Sequence, residues 1–191
     1  MIVGFGYRKG TGKDQSALHL MKKYGFNRRA FADSLKNACQ MVFMFTEAQV
    51  RGELKEVTDP FWGVTPRLVL QLVGTECFRK GFAHDVWIRS LHCYVKEHSR
   101  PYDLVVPDVR FPDEADAIKS WGGIVIRLDR GDSSVRRWWQ FWKPKLHASE
   151  CSMDGYKNWD HVINNNGTVK ELNAELDKIM VLHGKGADTH A

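Results

Sequence analysis

The sequence predicts an α/β protein, and two features of it carry that expectation. Residues Met1 to Ala17, MIVGFGYRKGTGKDQSA, pass from a short apolar run through glycines and lysines into a helical pattern. Beyond them, short apolar runs suited to buried strands alternate with amphipathic segments of helical spacing.

The opening stretch reads as strand, phosphate-binding loop, helix. Ile2, Val3 and Phe5 suit a buried strand, while Gly6, Gly10 and Gly12 allow backbone conformations and close approaches that a Cβ would block. Peptide N–H groups in such a loop converge on phosphate oxygens, and the helix N-terminus adds donors and a favourable dipole. Lys13 is placed to reach the β and γ phosphates of a nucleotide. The pattern G-x-x-x-x-G-K-[ST] is met incompletely. Tyr7 stands at its first position, so the loop either runs one residue longer from Gly6 or begins without glycine. Asp14 stands where Ser or Thr ordinarily holds magnesium; its carboxylate can bind the metal directly or through water, and Ser16 offers a substitute hydroxyl.

The 191 residues suit one domain, expected over 1–182, with a mobile tail at 183–191. At 43% hydrophobic and 27% charged the composition is that of a soluble globular protein. No apolar run approaches the roughly 18 residues of a membrane span, and the N-terminus lacks a secretory pattern, so a cytoplasmic location is expected. Cys39, Cys77, Cys93 and Cys151 form no C-x-x-C pair, which argues against a zinc knuckle or a disulfide framework. A net charge of +5, much of it near Arg127 to Lys145, fits an anionic ligand, nucleotide or nucleic acid.

Taken in order, the spacing predicts a helix over Lys13 to Tyr24 stopped by Gly25, then a short strand around Arg29 to Ala32. Ser34 to Phe45 follows as an amphipathic helix with Lys36 in its first turn, where a lysine opposes the helix dipole unless an anion lies nearby. Thr46 to Val64 reads as irregular chain. Thr65-Pro66 then starts a helix that presents Arg67, able to grip a phosphate bidentately, and Gln71, able to read a base edge. Asp85 caps a helix to about His98; His84, His92 and His98 make no metal-ligand set.

Asp103 to Asp108, DLVVPD, is a buried-strand pattern ending in a carboxylate. Asp108 is a candidate for magnesium or its water network, and Arg110 for a phosphate or substrate contact. Pro112 to Trp121 reads as a helix, Ile124 to Leu128 and Asp160 to Asn164 as strands, and Thr168 to Glu171 as a capping box opening a helix to about Leu182. Arg130 to Lys145 interleaves arginines with Trp138, Trp139, Phe141 and Trp142. It can serve as a single-strand-binding surface, or as a lid that brings Arg130, Arg136 or Arg137 to a transferring phosphoryl group; most of its tryptophans read as packing residues. The role of the His147 to Glu150 cluster is not readable from its chemistry alone.

Together, GTGKD at Gly10 to Asp14, FADSLK at Phe31 to Lys36, TPRLVLQLVGTE at Thr65 to Glu76, DVW at Asp85 to Trp87, DVRFPDEA at Asp108 to Ala115, GGIVIRL at Gly122 to Leu128, HASE at His147 to Glu150 and the closing DHVINNNGT resemble the bacteriophage deoxynucleoside monophosphate kinase family, a branch of the phosphate-loop nucleotide kinases. The resemblance implies a three-layer α/β fold around a parallel sheet of about five strands, with a lid at about 130–146. It implies transfer of the γ-phosphoryl group of ATP, with Mg2+, to a deoxynucleoside monophosphate. It assigns Gly10, Thr11, Gly12, Lys13, Asp14 and Gln15 to ATP, and Lys36, Arg67, Gln71, Trp87, Asp108, Arg110 and Glu114 to the acceptor. Lys13, Arg110, Arg130 and Arg137 would be catalytic, and Asp14, Ser16 and Asp108 would hold the metal. No membrane and no stable nucleic-acid partner is expected, and a homodimer is left open. Two other readings stand beside it: a kinase of this architecture acting on a dephospho-coenzyme A type acceptor, and a nonenzymatic single-strand-binding protein.

Overall fold

The computed structural model describes residues 1–97, 103–131 and 152–186. They form two compact units: residues 1–29 with the chain from 100 onward, and residues 30–99.

The first unit is built on a five-stranded parallel sheet of order β2-β3-β1-β4-β5, with β1 Ile2–Gly6, β2 Asn27–Arg28, β3 Leu104–Val109, β4 Ile124–Asp129 and β5 His161–Asn164. Parallel strands covered on both faces read as continuous apolar runs, which is what IVGFG and LVVPDV are. Helix α1, Lys13–Tyr24, and the last helix, Val169–Leu182, share one core with the sheet: Ala17 and Leu20 meet Val3, Phe5, Ile126 and Leu128, with Leu172, Leu176 and Met180. The opposite face is covered by the helix Pro112–Ser120, whose Ile118 lies so close to Gly4 that a Cβ there would sit 2.7 Å from its Cδ1.

The expected strand at Arg29 to Ala32 is displaced. The pairing falls on Asn27–Arg28, and Arg29 N–H still donates to the Val105 carbonyl at 3.1 Å. Both β2 residues are exposed at the sheet edge, so no apolar run marks them. The capping box at Thr168 is present: Thr168 Oγ1 accepts from Glu171 N–H at 3.3 Å, and Glu171 Oε2 accepts from Thr168 N–H at 2.7 Å. In the segment read as a tail, Lys185 Nζ bonds Asp103 Oδ2 at 2.5 Å beside the start of β3.

The second unit is helical. Its helices are α2 Ala32–Phe43, α3 Glu47–Val50, α4 Pro66–Gln71, which continues as a π-helical stretch Leu72–Lys80, and α5 Val86–Glu97. Cys39, Phe45, Val50, Val69 and Leu70 form its core. Helix α3 lies where irregular chain was expected. At four residues it is too short to show a period, but Thr46 and Gln49 cap it reciprocally, and Gln49 Nε2 donates to Asp59 Oδ2 at 2.7 Å. Thr65 caps α4 with Pro66 at its first position, as expected. In chain order the helices of the first unit, Pro112–Ser120 and Val169–Leu182, become α6 and α7.

Candidate active site

The chain leaves β1 toward β3 and β2 on one side and toward β4 and β5 on the other, so the strand order reverses at the carboxyl end of β1. In open α/β sheets ligands bind at that crevice. The Gly6 to Gly12 loop occupies it.

Two glycines there are dictated by their surroundings. A Cβ on Gly6 would stand 2.7 Å from the Trp159 ring; on Gly12, at φ +101°, it would stand 2.6 Å from Asn165 Nδ2. Tyr7 is the exception, holding φ +92° with a bulky aromatic side chain. A non-glycine residue in that region costs about 1–3 kcal/mol and persists only where its surroundings hold it. The surroundings are Arg127, whose guanidinium carbon lies 3.9 Å from the Tyr7 ring centroid, and Arg8 at 5.4 Å.

Lys13 turns back into this loop. Its ammonium donates to the carbonyls of Tyr7, at 3.3 Å, and Arg8, and to Thr11 Oγ1 at 3.4 Å. Thr11 Oγ1 donates in turn to the Arg8 carbonyl at 3.0 Å. Burial, and then the nearby Arg110 guanidinium, lower the lysine to about 8, against the opposite pull of Asp14 and Asp108. This ammonium is therefore under-neutralised, and an anion beside it would be favoured.

Asp108 is aimed by a local irregularity in β3. Gly4 pairs with Val106 but Gly6 with Val109, so β3 carries one extra residue around Pro107 and Asp108. Proline cannot donate to the ladder and belongs at such bulges, which re-aim the neighbouring side chain. Next along, Arg110 is exposed, and its backbone is fixed by Glu114: Glu114 Oε2 accepts from Arg110 N–H at 2.8 Å and Phe111 N–H at 3.2 Å. Glu114, expected to touch the acceptor, is 3% exposed and shapes the turn that presents Arg110.

The donor chemistry fits a magnesium ion. Mg2+ keeps most of its waters and takes one or two carboxylates plus phosphate oxygens. Asp14, exposed in the first turn of α1, and Asp108 both act on Lys13. Ser16, the third expected metal ligand, is 0% exposed, and its Oγ has no hydrogen-bond partner. No cluster of three or more His, Cys, Asp or Glu ligands occurs among the described residues. Gly10 is exposed, Thr11 buried and Gln15 half-buried, on the loop and the first turn of α1.

Sequence reasoning passed over Arg8, Arg127, Asp129 and Asn165. Asn165 Nδ2 donates to the Thr11 carbonyl at 3.0 Å, and its N–H to the Asp129 carbonyl at 2.7 Å. Arg8 forms a two-point pair with Asp154, at 3.3 and 3.0 Å. The available signal was the arginine in IVIRLD, a charge within an otherwise apolar strand.

The remaining expected acceptor residues belong to the helical unit. Lys36 lies on α2, and Arg67 and Gln71 on α4, all half-buried; Arg67 Nη1 pairs with Glu56 Oε1 at 3.0 Å. Trp87 is 9% exposed, and its indole N–H donates to the Gly74 carbonyl at 3.0 Å, so it packs within its own unit. Arg130 is exposed just beyond β4. Arg136, Arg137, the tryptophans of 138–142 and the His147 to Glu150 cluster lie outside the described residues.

The model of the deoxynucleotide monophosphate kinase family matches residues 48–176. A protein of Acanthamoeba polyphaga mimivirus that carries the provisional name deoxynucleotide monophosphate kinase is 32% identical over 189 residues, covering 92% of this chain and 94% of its own. The chain belongs to the deoxynucleotide monophosphate kinase family. It is accordingly a phosphotransferase. Among solved structures, dephospho-CoA kinase from Campylobacter jejuni superposes with a TM-score of 0.51 at 16% identity, over 97% of this chain and 98% of that one, a likeness of fold alone. No helix among the described residues is long and apolar enough to cross a membrane.

Proposed function

We propose that the chain moves the γ-phosphoryl group of ATP onto a deoxynucleoside monophosphate, with the Gly6 to Gly12 loop and Lys13 holding the donor's phosphates. The observation that supports this most is the state of Lys13: a half-buried cation, lowered to about 8, bonded to the carbonyls of a glycine loop at the crevice of the sheet. Such a group gains by meeting an anion.

The acceptor's phosphate oxygen is itself an adequate nucleophile, so no base is needed to activate it. It attacks the γ-phosphorus as the bond to the β–γ bridging oxygen breaks, and ADP leaves. The protein's work is to align two anions that repel each other and to neutralise the charge of the moving group. Lys13 neutralises the β and γ oxygens. Arg110, its backbone fixed by Glu114, meets the acceptor phosphate or the transferring group. Magnesium, held by Asp14 and Asp108, would supply further charge neutralisation on the phosphates. Lys36, Arg67 and Gln71 of the helical unit are assigned to the acceptor, and Arg130 and Arg137 to the transferring group, by the family resemblance alone. Glu114 acts through the Arg110 backbone it fixes, and Trp87 through the Gly74 carbonyl it bonds within the helical unit.

An acceptor panel tests this: the four deoxynucleoside monophosphates, their ribose counterparts and dephospho-coenzyme A, each assayed for ADP release. ADP release with at least one deoxynucleotide, exceeding that with dephospho-coenzyme A, is the expected result. The reverse order would overturn the reading.

A further inference from the structure

Tyr7 occupies the first position of the loop with a glycine-type backbone, and the nearer of the two cations on its ring comes from β4. Arg127 pairs with Gly6 in the β1–β4 register, which sets its side chain beside the loop's first residue. Its guanidinium carbon lies 3.9 Å from the Tyr7 ring centroid, and its Nη2 bonds Asp129 Oδ2 at 2.6 Å. Its Nε–H is buried with no hydrogen-bond partner. A guanidinium N–H left unsatisfied is a local defect of the kind that folds tolerate where a position serves something other than stability. Asp129 is tied in turn to the loop's far end, because its carbonyl accepts from Asn165 N–H and Asn165 Nδ2 donates to the Thr11 carbonyl.

We infer that Arg127, anchored by Asp129, is a positioning residue of the phosphate loop. Its stack on Tyr7 substitutes for the glycine missing from the first position and so fixes the Tyr7 carbonyl that Lys13 contacts. The bond from Lys13 Nζ to the Tyr7 carbonyl at 3.3 Å links the stack to the lysine. Neither Arg127 nor Tyr7 need touch the acceptor. Losing the stack lets Tyr7 relax toward ordinary backbone, which moves the loop and misplaces Lys13 against the donor's phosphates.

The dependence is conditional, and that makes it testable. Arg127 matters only while residue 7 carries a side chain that needs holding. Steady-state turnover is measured with ATP and the deoxynucleotide used best, for wild type, Arg127→Met, Asp129→Asn, Tyr7→Gly and Tyr7→Gly with Arg127→Met, each with a thermal melt. Arg127→Met is expected to lower kcat/KM for ATP about tenfold and to leave KM for the deoxynucleotide within about twofold, given the usual strength of such stacks. In the Tyr7→Gly background the same change should cost less than about twofold, whatever Tyr7→Gly itself does. An equal penalty in both backgrounds, or a lowered melt with unchanged kinetics, overturns the inference. If Arg127→Met does not fold, Asp129→Asn keeps the guanidinium and loosens its anchor. A loss of a few-fold that Tyr7→Gly suppresses supports the inference, and no loss overturns it. The inference rests on the phosphate reading of the loop, so wild-type turnover comes first. Its absence overturns both, whereas an active wild type with uncoupled variants overturns this inference alone.

Discussion

If the donor's phosphates meet Lys13 as proposed, its lowered value makes nucleotide binding a proton-uptake reaction. In the free protein the lysine titrates at about 8, because burial and the Arg110 guanidinium disfavour its charge. Phosphate oxygens around it restore the ordinary value of about 10.4 or more. At pH 8 the free lysine is half neutral and the bound one fully charged, so each ATP bound takes up about 0.5 proton; at pH 9 the figure rises to about 0.9. ATP carries its full charge at both pH values and contributes little. Calorimetric titrations in phosphate and in Tris, whose ionisation enthalpies differ widely, report the uptake as the slope of binding enthalpy against buffer enthalpy. The same group gives kcat/KM for ATP a descending limb near pH 8, since that ratio follows the free enzyme. Uptake that stays constant from pH 7.5 to 9, or that survives in Lys13→Met, would refute the reasoning.

Other outcomes follow from the same contacts. Lys13→Met should lose at least about a hundredfold in turnover and melt no lower than wild type, since removing an ammonium lowered from 10.5 to about 8 relieves up to about 3 kcal/mol of charge burial; a melt lowered by several degrees would contradict this. Gly12→Ala, with its Cβ 2.6 Å from Asn165 Nδ2 at φ +101°, should cost more than about 2 kcal/mol in urea unfolding and abolish ATP turnover. Glu114→Gln weakens the charge-assisted bonds to Arg110 and Phe111 N–H, and should cost about 1–2 kcal/mol and raise KM for the deoxynucleotide; an unchanged KM would separate Glu114 from Arg110. Asp177 joins α1 to α7. Burial opposes its ionisation, but Lys23, His19 and Tyr24 outweigh it and hold the carboxyl below the usual range. Its contribution is thus present above pH about 4 and lost as pH falls below that, so Asp177→Asn should flatten the acid limb of stability measured by urea midpoints.

The sheet and the loop were legible because their causes are local. Ile2 to Phe5 and Leu104 to Val106 are continuous apolar runs, and Gly12-Lys13 announces itself by residue type. Elements held by few residues or by distant partners were not. Two-residue β2 is exposed, and four-residue α3 is set by Thr46, Gln49 and Asp59 rather than by a period. Lys13, Asp108 and Arg110 could be singled out as candidates because Lys13 opens α1 and Asp108 and Arg110 stand at the end of β3. The clamp on Tyr7 could not, because Arg127 is 120 residues away and meets it only through the register of β1 and β4. Glu114, Trp87 and Ser16 were picked out by type and position; that all three are buried was not legible.

The central claim is met most directly by following the γ-phosphoryl group. ATP labelled at the γ-phosphorus is incubated with the protein, magnesium and a mixture of the four deoxynucleoside monophosphates, and the labelled products are separated. Label recovered in a deoxynucleoside diphosphate, at a rate cut at least about a hundredfold by Lys13→Met, is the expected result. Label recovered only in inorganic phosphate, or carried to a deoxynucleotide equally fast without Lys13, would contradict it.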